Sequence, residues 1–280
     1  MSGSFSSRWS RKNHSQETSV HGSGQNGNEA SIALESPGKS FCQIVTPLHF
    51  QANYQYPLLV WLHSTGSNER QIEQVLPHVS TRNYVGVGVR ATQATDVRGC
   101  CFDWQHSQNG LRMACQKIFD AIELTQRNHS IHPSRIILAG LGSGATMACR
   151  VAMQRPNDFA GVVRMSGRLD AEGCGLGKFN QLRQRRLPML WQQAINGVDD
   201  ESEQLQHDIK MAQWLQAQVE IRQYAGNDVM NTAALKDIDR WCFDKIVNPS
   251  PAPASTLLSK PVNIELIRGS ELKMVEFSAN

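Results

Sequence analysis

Apolar positions along this chain fall into two alternating arrangements. Unbroken runs of strand length occur at Pro57–His63, Tyr84–Arg90, Arg135–Gly140, Gly161–Met165, Met189–Gln193 and Val219–Tyr224, and Phe41–Thr46 reads as a further strand. Between the runs, apolar residues recur every three or four positions, the mark of a helix with one buried face. Leu111, Ala114, Cys115, Ile118, Ile122 and Thr125 share such a face within 107–128. Leu205, Ile209, Ala212 and Leu215 do so within 201–217, and Leu235, Ile238, Cys242 and Ile246 within 231–246. Gln71–Val79 predicts a short helix and Ala145–Met153 a nearly all-apolar one.

Strands apolar on both sides, alternating with amphipathic helices, predict an α/β fold: a mainly parallel sheet with helices on both faces. Right-handed crossovers make it doubly wound. The pattern bounds one domain at 41–248. Residues 1–40, dominated by Ser, Gly, Asn and Gln, offer too little apolar surface to offset ordering entropy and read as disordered. Residues 249–280 open with Pro249, Pro251 and Pro253 and read as a linker and tail, in which Val262–Ile267 and Lys273–Phe277 are short strands or a docked segment. Ligands of such sheets sit beyond the carboxyl ends of the strands, which directs attention to the loops 63–70, 91–106, 140–145, 167–187, 194–200 and 225–230.

Charge narrows the function classes. Lys and Arg total 28 against 25 Asp and Glu, a net +3 that argues against a nucleic-acid surface or an acidic-membrane surface. The longest apolar run, Pro57–Leu62, is far short of the ~20 residues that span a bilayer. Arg8, Arg11 and Lys12 precede no apolar stretch, so no secretory signal peptide is expected. The seven cysteines form no C-x-x-C pair, which indicates neither a zinc site nor a disulfide framework. The expectation is a reduced, cytoplasmic protein without metal or cofactor, whose partner is a small molecule or a protein.

The most informative stretch runs from Ile136 to Ala148, where a buried strand enters Gly140-Leu-Gly142-Ser143-Gly144 and passes directly into a buried helix. This is the setting of a nucleophile elbow, a strained strand-to-helix turn whose flanking glycines let the backbones approach. With Pro57–Gly66, the ungapped spacing of Arg135–Gly167, and the pair Pro188–Leu190 and Val219–Gly226, the chain resembles the phospholipase/carboxylesterase family of α/β-hydrolases, which includes the acyl-protein thioesterases. The resemblance covers roughly 41–247 and implies an α/β-hydrolase fold with ester or thioester hydrolysis.

The departures from that family matter more. Gly140-x-Gly142-x-Gly144 lies over G-x-S-x-G, so Gly142 takes the nucleophile slot. The acid slot falls near Gly197, beside Asp199 and Asp200, and the histidine slot holds Asp228. The family's His-Gly pair reads His63-Ser64, and Thr65 and Gly66 follow. Fold members order their triad Ser, acid, His. The last histidine here is His207, mid-helix and on the solvated side, so none follows the last core strand. A carboxylate at Asp228 is a poor base for a serine hydroxyl.

Three readings follow. In the first, no catalytic residue operates and a degenerate fold, a pseudoenzyme, binds a ligand or partner. Its pocket is lined by His63, Ser64, Thr65, Gly66, Gly142, Ser143 and Gly144, and helix-start N–H groups near Gly144 serve an anion or carbonyl oxygen. The second uses Ser143, one position past the slot, as the nucleophile of a residual esterase or thioesterase lacking an evident base. In the third, Gly140-x-Gly142-x-x-Ala145 is a dinucleotide fingerprint, although the next strand brings a carboxylate only at Asp170.

Remaining candidates read as structural. Cys100-Cys101-Phe102-Asp103-Trp104 falls in a loop that lines the pocket, its adjacent thiols without a basic neighbour beyond Arg98. Lys178, Arg183, Arg185 and Arg186 read as a solvated face, and His106, His129 and His132 as surface residues. His63 reads as a framework residue whose ring bonds backbone; Tyr54, Tyr56, Trp61 and Trp104 pack in or cover the core.

Overall fold

A computed structural model describes residues 41–171, 176–195, 199–225, 229–249 and 262–267. The elements in chain order are β1 (Cys42–Val45), β2 (Tyr56–Leu62), α1 (Gln71–Val79), β3 (Val85–Val89), β4 (Gln93–Ala94), β5 (Phe102–Asp103), α2 (Gln108–Asn128) and β6 (Ile131–Leu141). There follow α3 (Ser143–Gln154), β7 (Gly161–Met165), α4 (Leu176–Arg185), β8 (Pro188–Ile195), α5 (Asp199–Trp214), β9 (Gln218–Ala225), α6 (Thr232–Cys242) and β10 (Val262–Ile267). Past Cys242, α6 continues as a π-helical turn over Phe243–Val247.

Among the described residues, eight strands form one sheet in the order β1-β3-β2-β6-β7-β8-β9-β10. Among these described strands β1 runs antiparallel, against β3, and the other pairings of the sheet are parallel. Val262–Ile267 pairs with Val219–Tyr224 and adds an edge strand from beyond residue 248. The two-residue strands β4 and β5 form a separate antiparallel ribbon.

Strand period fixes the two cores. Along fully buried β2, Leu58, Val60 and Leu62 join the cluster that holds Ile118 of α2, Met147 of α3, Leu182 of α4 and Ala212 of α5. Leu59 and Trp61 point the other way, among Ile72 and Val75 of α1 and Leu235 and Ile238 of α6. Burial on both faces is why the strands read as continuous apolar runs rather than alternating ones.

The sequence expectation missed the strands β4 and β5 and the helix α4. The β4–β5 ribbon is too short and too exposed to leave a periodic signal. Helix α4 lies in what read as a loop, and its basic residues are not merely solvated. The Arg183 guanidinium lies 4.7 Å from the Trp214 ring centre and its Nε donates to the Trp214 carbonyl, while Arg185 donates to the Phe159 carbonyl. Of the aromatic residues read as packing in or covering the core, Tyr54 covers it: it meets buried Tyr56 edge-on and stays 48% exposed.

Candidate functional site

The carboxyl ends of β2, β3 and β6 converge on one locality. From β6 the chain turns into α3 through Gly142, with φ 57° and ψ −117°, a backbone conformation unfavourable to residues with a Cβ. The turn is clamped from three sides. Gly142 N donates to the Met165 carbonyl of β7 at 2.9 Å. A Cβ on Gly144 would lie 2.2 Å from the Leu62 carbonyl oxygen and 2.4 Å from that of His63; one on Gly140 would meet the Gly144 backbone at 2.6 Å. Close contact of β2, β6 and α3 therefore accounts for these two glycines without a nucleotide. At Gly142 itself a Cβ would meet nothing within 4 Å. The apex is open, and it carries no side chain.

The loop after β2 is braced from within. His63 is fully buried; its Nδ1 donates to the Ser64 carbonyl at 2.8 Å and its Nε2 accepts from Ala91 N at 3.1 Å. Both ring nitrogens are thus spent on backbone, and burial holds its pKa below the usual histidine value. Gln71 Oε1 accepts from Trp61 Nε1 and Ser64 N, and Gln71 Nε2 donates to Ser64 Oγ. The β4–β5 ribbon then docks on the same loop: Gly66 N donates to the Phe102 carbonyl and Phe102 N to that of Ser67. Trp104 is buried and its Nε1 donates to the His63 carbonyl at 2.9 Å.

This docking brings Asp103 to the elbow. Its Oδ1 accepts from Ser143 Oγ at 2.7 Å, from Trp104 N at 2.8 Å and from Thr65 Oγ1 at 3.1 Å. On the other side of Ser143, His106 Nε2 lies 3.2 Å from the same Oγ. His106 directly precedes Ser107, the N-cap of α2, whose side chain accepts from Gly110 N. Its carbonyl accepts from Arg150 Nη1, and buried Arg150 also pairs with Asp170 at 3.3 Å. Desolvation, with the Arg150 charge adding to it, holds His106 below its usual pKa.

His106 is thus not the surface residue the sequence suggested, and Ser143 does have an imidazole beside it. The sequence put Asp103 in the pocket-lining stretch Cys100–Trp104 without a role of its own and read His106 as a surface residue; both fall at the end of the 91–106 loop that follows β3. Gly197 and Asp228 lie outside the described residues, as do the side chains of Asp199 and Asp200. Among the described residues no group of three or more His, Cys, Asp or Glu could hold a metal ion, and no helix is long and apolar enough to cross a membrane.

The proton on Ser143 has one consistent place. An ionised carboxylate only accepts, so at 2.7 Å the hydroxyl hydrogen points at Asp103. His106 then presents a protonated Nε2 to Oγ, and Nδ1 is the bare nitrogen. That Nδ1 is buried without a hydrogen-bond partner. In an acyl-transfer triad the acid holds Nδ1–H of the histidine and the bare Nε2 takes the serine proton. Here the order is inverted, with serine between acid and imidazole.

A second concavity, of about 490 Å³, lies at the opposite, amino ends of β2 and β3 and is lined in part by Tyr54, Tyr56, Arg82, Tyr84 and Phe243. It touches none of the elbow residues. The fold rule for open α/β sheets places ligand chemistry at the carboxyl ends, where Gly142 and Asp103 sit.

Residues 59–234 match the Phospholipase/Carboxylesterase family. A thermostable esterase aligns over 73% of this chain at 16% identity with a TM-score of 0.53; this chain spans 58% of that esterase's length. Esterase PE8 aligns over 73% of this chain and 98% of its own at 15% identity, TM-score 0.56. SOBER1 of Arabidopsis thaliana aligns over 68% of this chain and 99% of its own at 15% identity, TM-score 0.51. At these identities the likeness is one of fold. No curated protein sequence matches the chain.

Proposed function

Because the chain belongs to the phospholipase/carboxylesterase family, we propose that it is a binding scaffold that keeps the family fold without its serine chemistry. The carrying observation is Gly142, which adopts the elbow conformation at the apex with no side chain to acylate. Ser143 does not replace it, since its proton is committed to Asp103 rather than to a base.

Electrostatics point the same way. In this fold the oxyanion is held by the backbone N–H after the nucleophile slot and by one from the loop after the neighbouring strand. Those positions are Ser143 and the Ser64–Gly66 loop, and Asp103 is bonded to side chains of both. An oxyanion held there meets the like charge of that carboxylate, which opposes the charge that develops in acyl transfer.

A second reading, a residual ester or thioester hydrolase acting through Ser143, is favoured by the 3.2 Å contact of His106 Nε2 with Oγ. The two readings separate in one experiment: intact mass after a fluorophosphonate probe, together with p-nitrophenyl butyrate hydrolysis, on wild type and Ser143→Ala. The scaffold reading expects no adduct and no turnover above buffer. A stoichiometric adduct and turnover, both lost in Ser143→Ala, would overturn it and make Ser143 the nucleophile.

A further inference from the structure

Three of the chain's four tyrosines, Tyr54, Tyr56 and Tyr84, line the concavity of about 490 Å³ at the amino ends of β2 and β3. Tyr56 and Tyr84 are buried in its wall, and Tyr54 meets Tyr56 edge-on with ring centres 4.7 Å apart. The mouth is apolar as well: Leu48, Tyr54 and Phe243, which are 62%, 48% and 53% exposed, all line it. Large apolar side chains gathered at one concavity, rather than scattered singly, mark a binding surface.

Three segments are tied together around this space. Leu48 N donates to the Thr81 carbonyl at 2.8 Å, and Gln51 N to the Tyr56 hydroxyl oxygen at 3.0 Å. Asn83 Nδ2 donates to the two carboxylate oxygens of Asp239 on α6, at 3.0 and 3.3 Å. Beside Leu48, His49 holds φ 57°, a left-handed backbone that a residue with a Cβ keeps only where its surroundings fix it. The π-helical turn that ends α6 begins at Phe243 and closes at Val247, and both residues line the cavity. Turns of this kind recur at functional sites.

The polar lining favours donors. Arg82 and His49 bring N–H groups and Tyr54 a hydroxyl, while Asp239, the carboxylate of the lining, is engaged by Asn83 through both oxygens. The geometry points to a second binding site here, for a small aromatic carboxylate. Its ring packs among Tyr54, Tyr84 and Phe243, and its carboxylate meets the guanidinium of exposed Arg82. Aromatic walls favour a ring in edge-on or offset contact, and the planar guanidinium fork matches a carboxylate. The volume falls within the roughly 300–1,000 Å³ of small-molecule sites. A neutral ring of the same shape keeps the aromatic contacts and loses the fork. The cavity shares no residue with the elbow, so the inference holds whether or not Ser143 is a nucleophile.

The test is calorimetric titration of the full chain at pH 7.5 with 2-naphthoate and the neutral 2-naphthylmethanol, on wild type, Arg82→Gln, Phe243→Ala and Ser143→Ala. Wild type is expected to bind 2-naphthoate about tenfold more tightly than the alcohol. Arg82→Gln should lose that preference, Phe243→Ala should weaken both probes by about threefold or more, and Ser143→Ala should bind as wild type does. The comparison of the two probes on wild type stands even if a variant does not fold. No binding of either probe overturns the inference, as does an alcohol bound as tightly as the carboxylate or a preference that survives Arg82→Gln. Loss of binding in Ser143→Ala overturns it too, by moving the ligand to the elbow. The scaffold reading fails separately, if the fluorophosphonate labels Ser143.

Discussion

The hydroxyl of Ser143 donates to Asp103 Oδ1 at 2.7 Å, across the gap between the first turn of α3 and the β4–β5 ribbon. The contact joins the residue after the Gly142 apex to a carboxylate carried by the ribbon. Because the ribbon hangs on the loop after β2 through Phe102, the position of Asp103 is set by backbone pairing rather than by a flexible side chain. The arrangement is a built feature of the cleft.

Restoring a serine at the apex tests whether the missing side chain is the only missing part. Gly142→Ser has open space for its Cβ, so its cost is the positive φ, about 1–2 kcal/mol. The variant is expected to fold with a modestly lowered melting temperature and to remain unlabelled by fluorophosphonate, because no base faces the apex among the described residues. Rapid stoichiometric labelling of this variant would reveal a base and a complete site lacking only its nucleophile.

The two glycines Gly144 and Gly177 should answer the same substitution in opposite ways. At Gly144 an alanine methyl would lie 2.2 Å and 2.4 Å from two β2-end carbonyl oxygens, so α3 must move away from the strand. Urea unfolding of Gly144→Ala should show a loss of about 3 kcal/mol or more, or no folded protein at all. In α4 a Cβ on Gly177 meets nothing within 4 Å, and Gly177→Ala should be neutral or stabilising by up to about 1 kcal/mol. Equal effects at the two positions would contradict the packing described for the elbow.

The legible part of this molecule was what repeats. The β2 run from Tyr56 to Leu62 is apolar at nearly every position because helices cover both faces, and that signal survives in one sequence. The strand-to-helix turn at Gly142 was legible too, since it is a local motif. The Asp103–Ser143–His106 contact was not. It joins residues about forty positions apart through a ribbon of two-residue strands, whose placement depends on Phe102 pairing with Ser67. The spacing Asp103-Trp-Gln-His106 at the carboxyl end of β3 was a signal that could have been weighed, but it has no periodicity to mark it.

Acid should weaken the fold through its histidines. In the folded chain His63 and His106 both have pKa values lowered from 6.5, chiefly by burial. Protonating His63 would place a hydrogen on Nε2, against the Ala91 N–H it accepts from. The unfolded chain therefore binds more protons than the folded one once pH falls below about 6.5, and stability drops as pH falls. Above that pH the contribution is complete. Urea unfolding at pH 7.5, 6.5 and 5.5 should show a decline of at most about 1.4 kcal/mol per pH unit for each histidine. The decline should be shallower in His63→Gln. A pH-independent stability over this range would mean that the His63 ring tolerates its proton.

The ion pair of Arg164 on β7 with Asp208 on α5 is the sharpest electrostatic element of the core, and both side chains are fully buried. Asp208 has other donors: Leu169 N at 3.1 Å and Gln204 Nε2 at 2.8 Å. Arg164 has the Trp191 ring 4.0 Å from its guanidinium carbon, while its Nε and Nη2 find no hydrogen-bond partner. Asp208→Ala leaves that cation buried without its anion, so a loss of about 3–5 kcal/mol is expected. Arg164→Met should cost less, since Asp208 keeps two donors. Replacing both by apolar residues of similar volume, Arg164→Met with Asp208→Leu, removes both desolvation penalties and should cost less than the two single changes added together. A double-mutant cycle by urea unfolding reads the coupling directly. Additive losses would show that the pair contributes shape to the β7–α5 contact and no net electrostatic coupling.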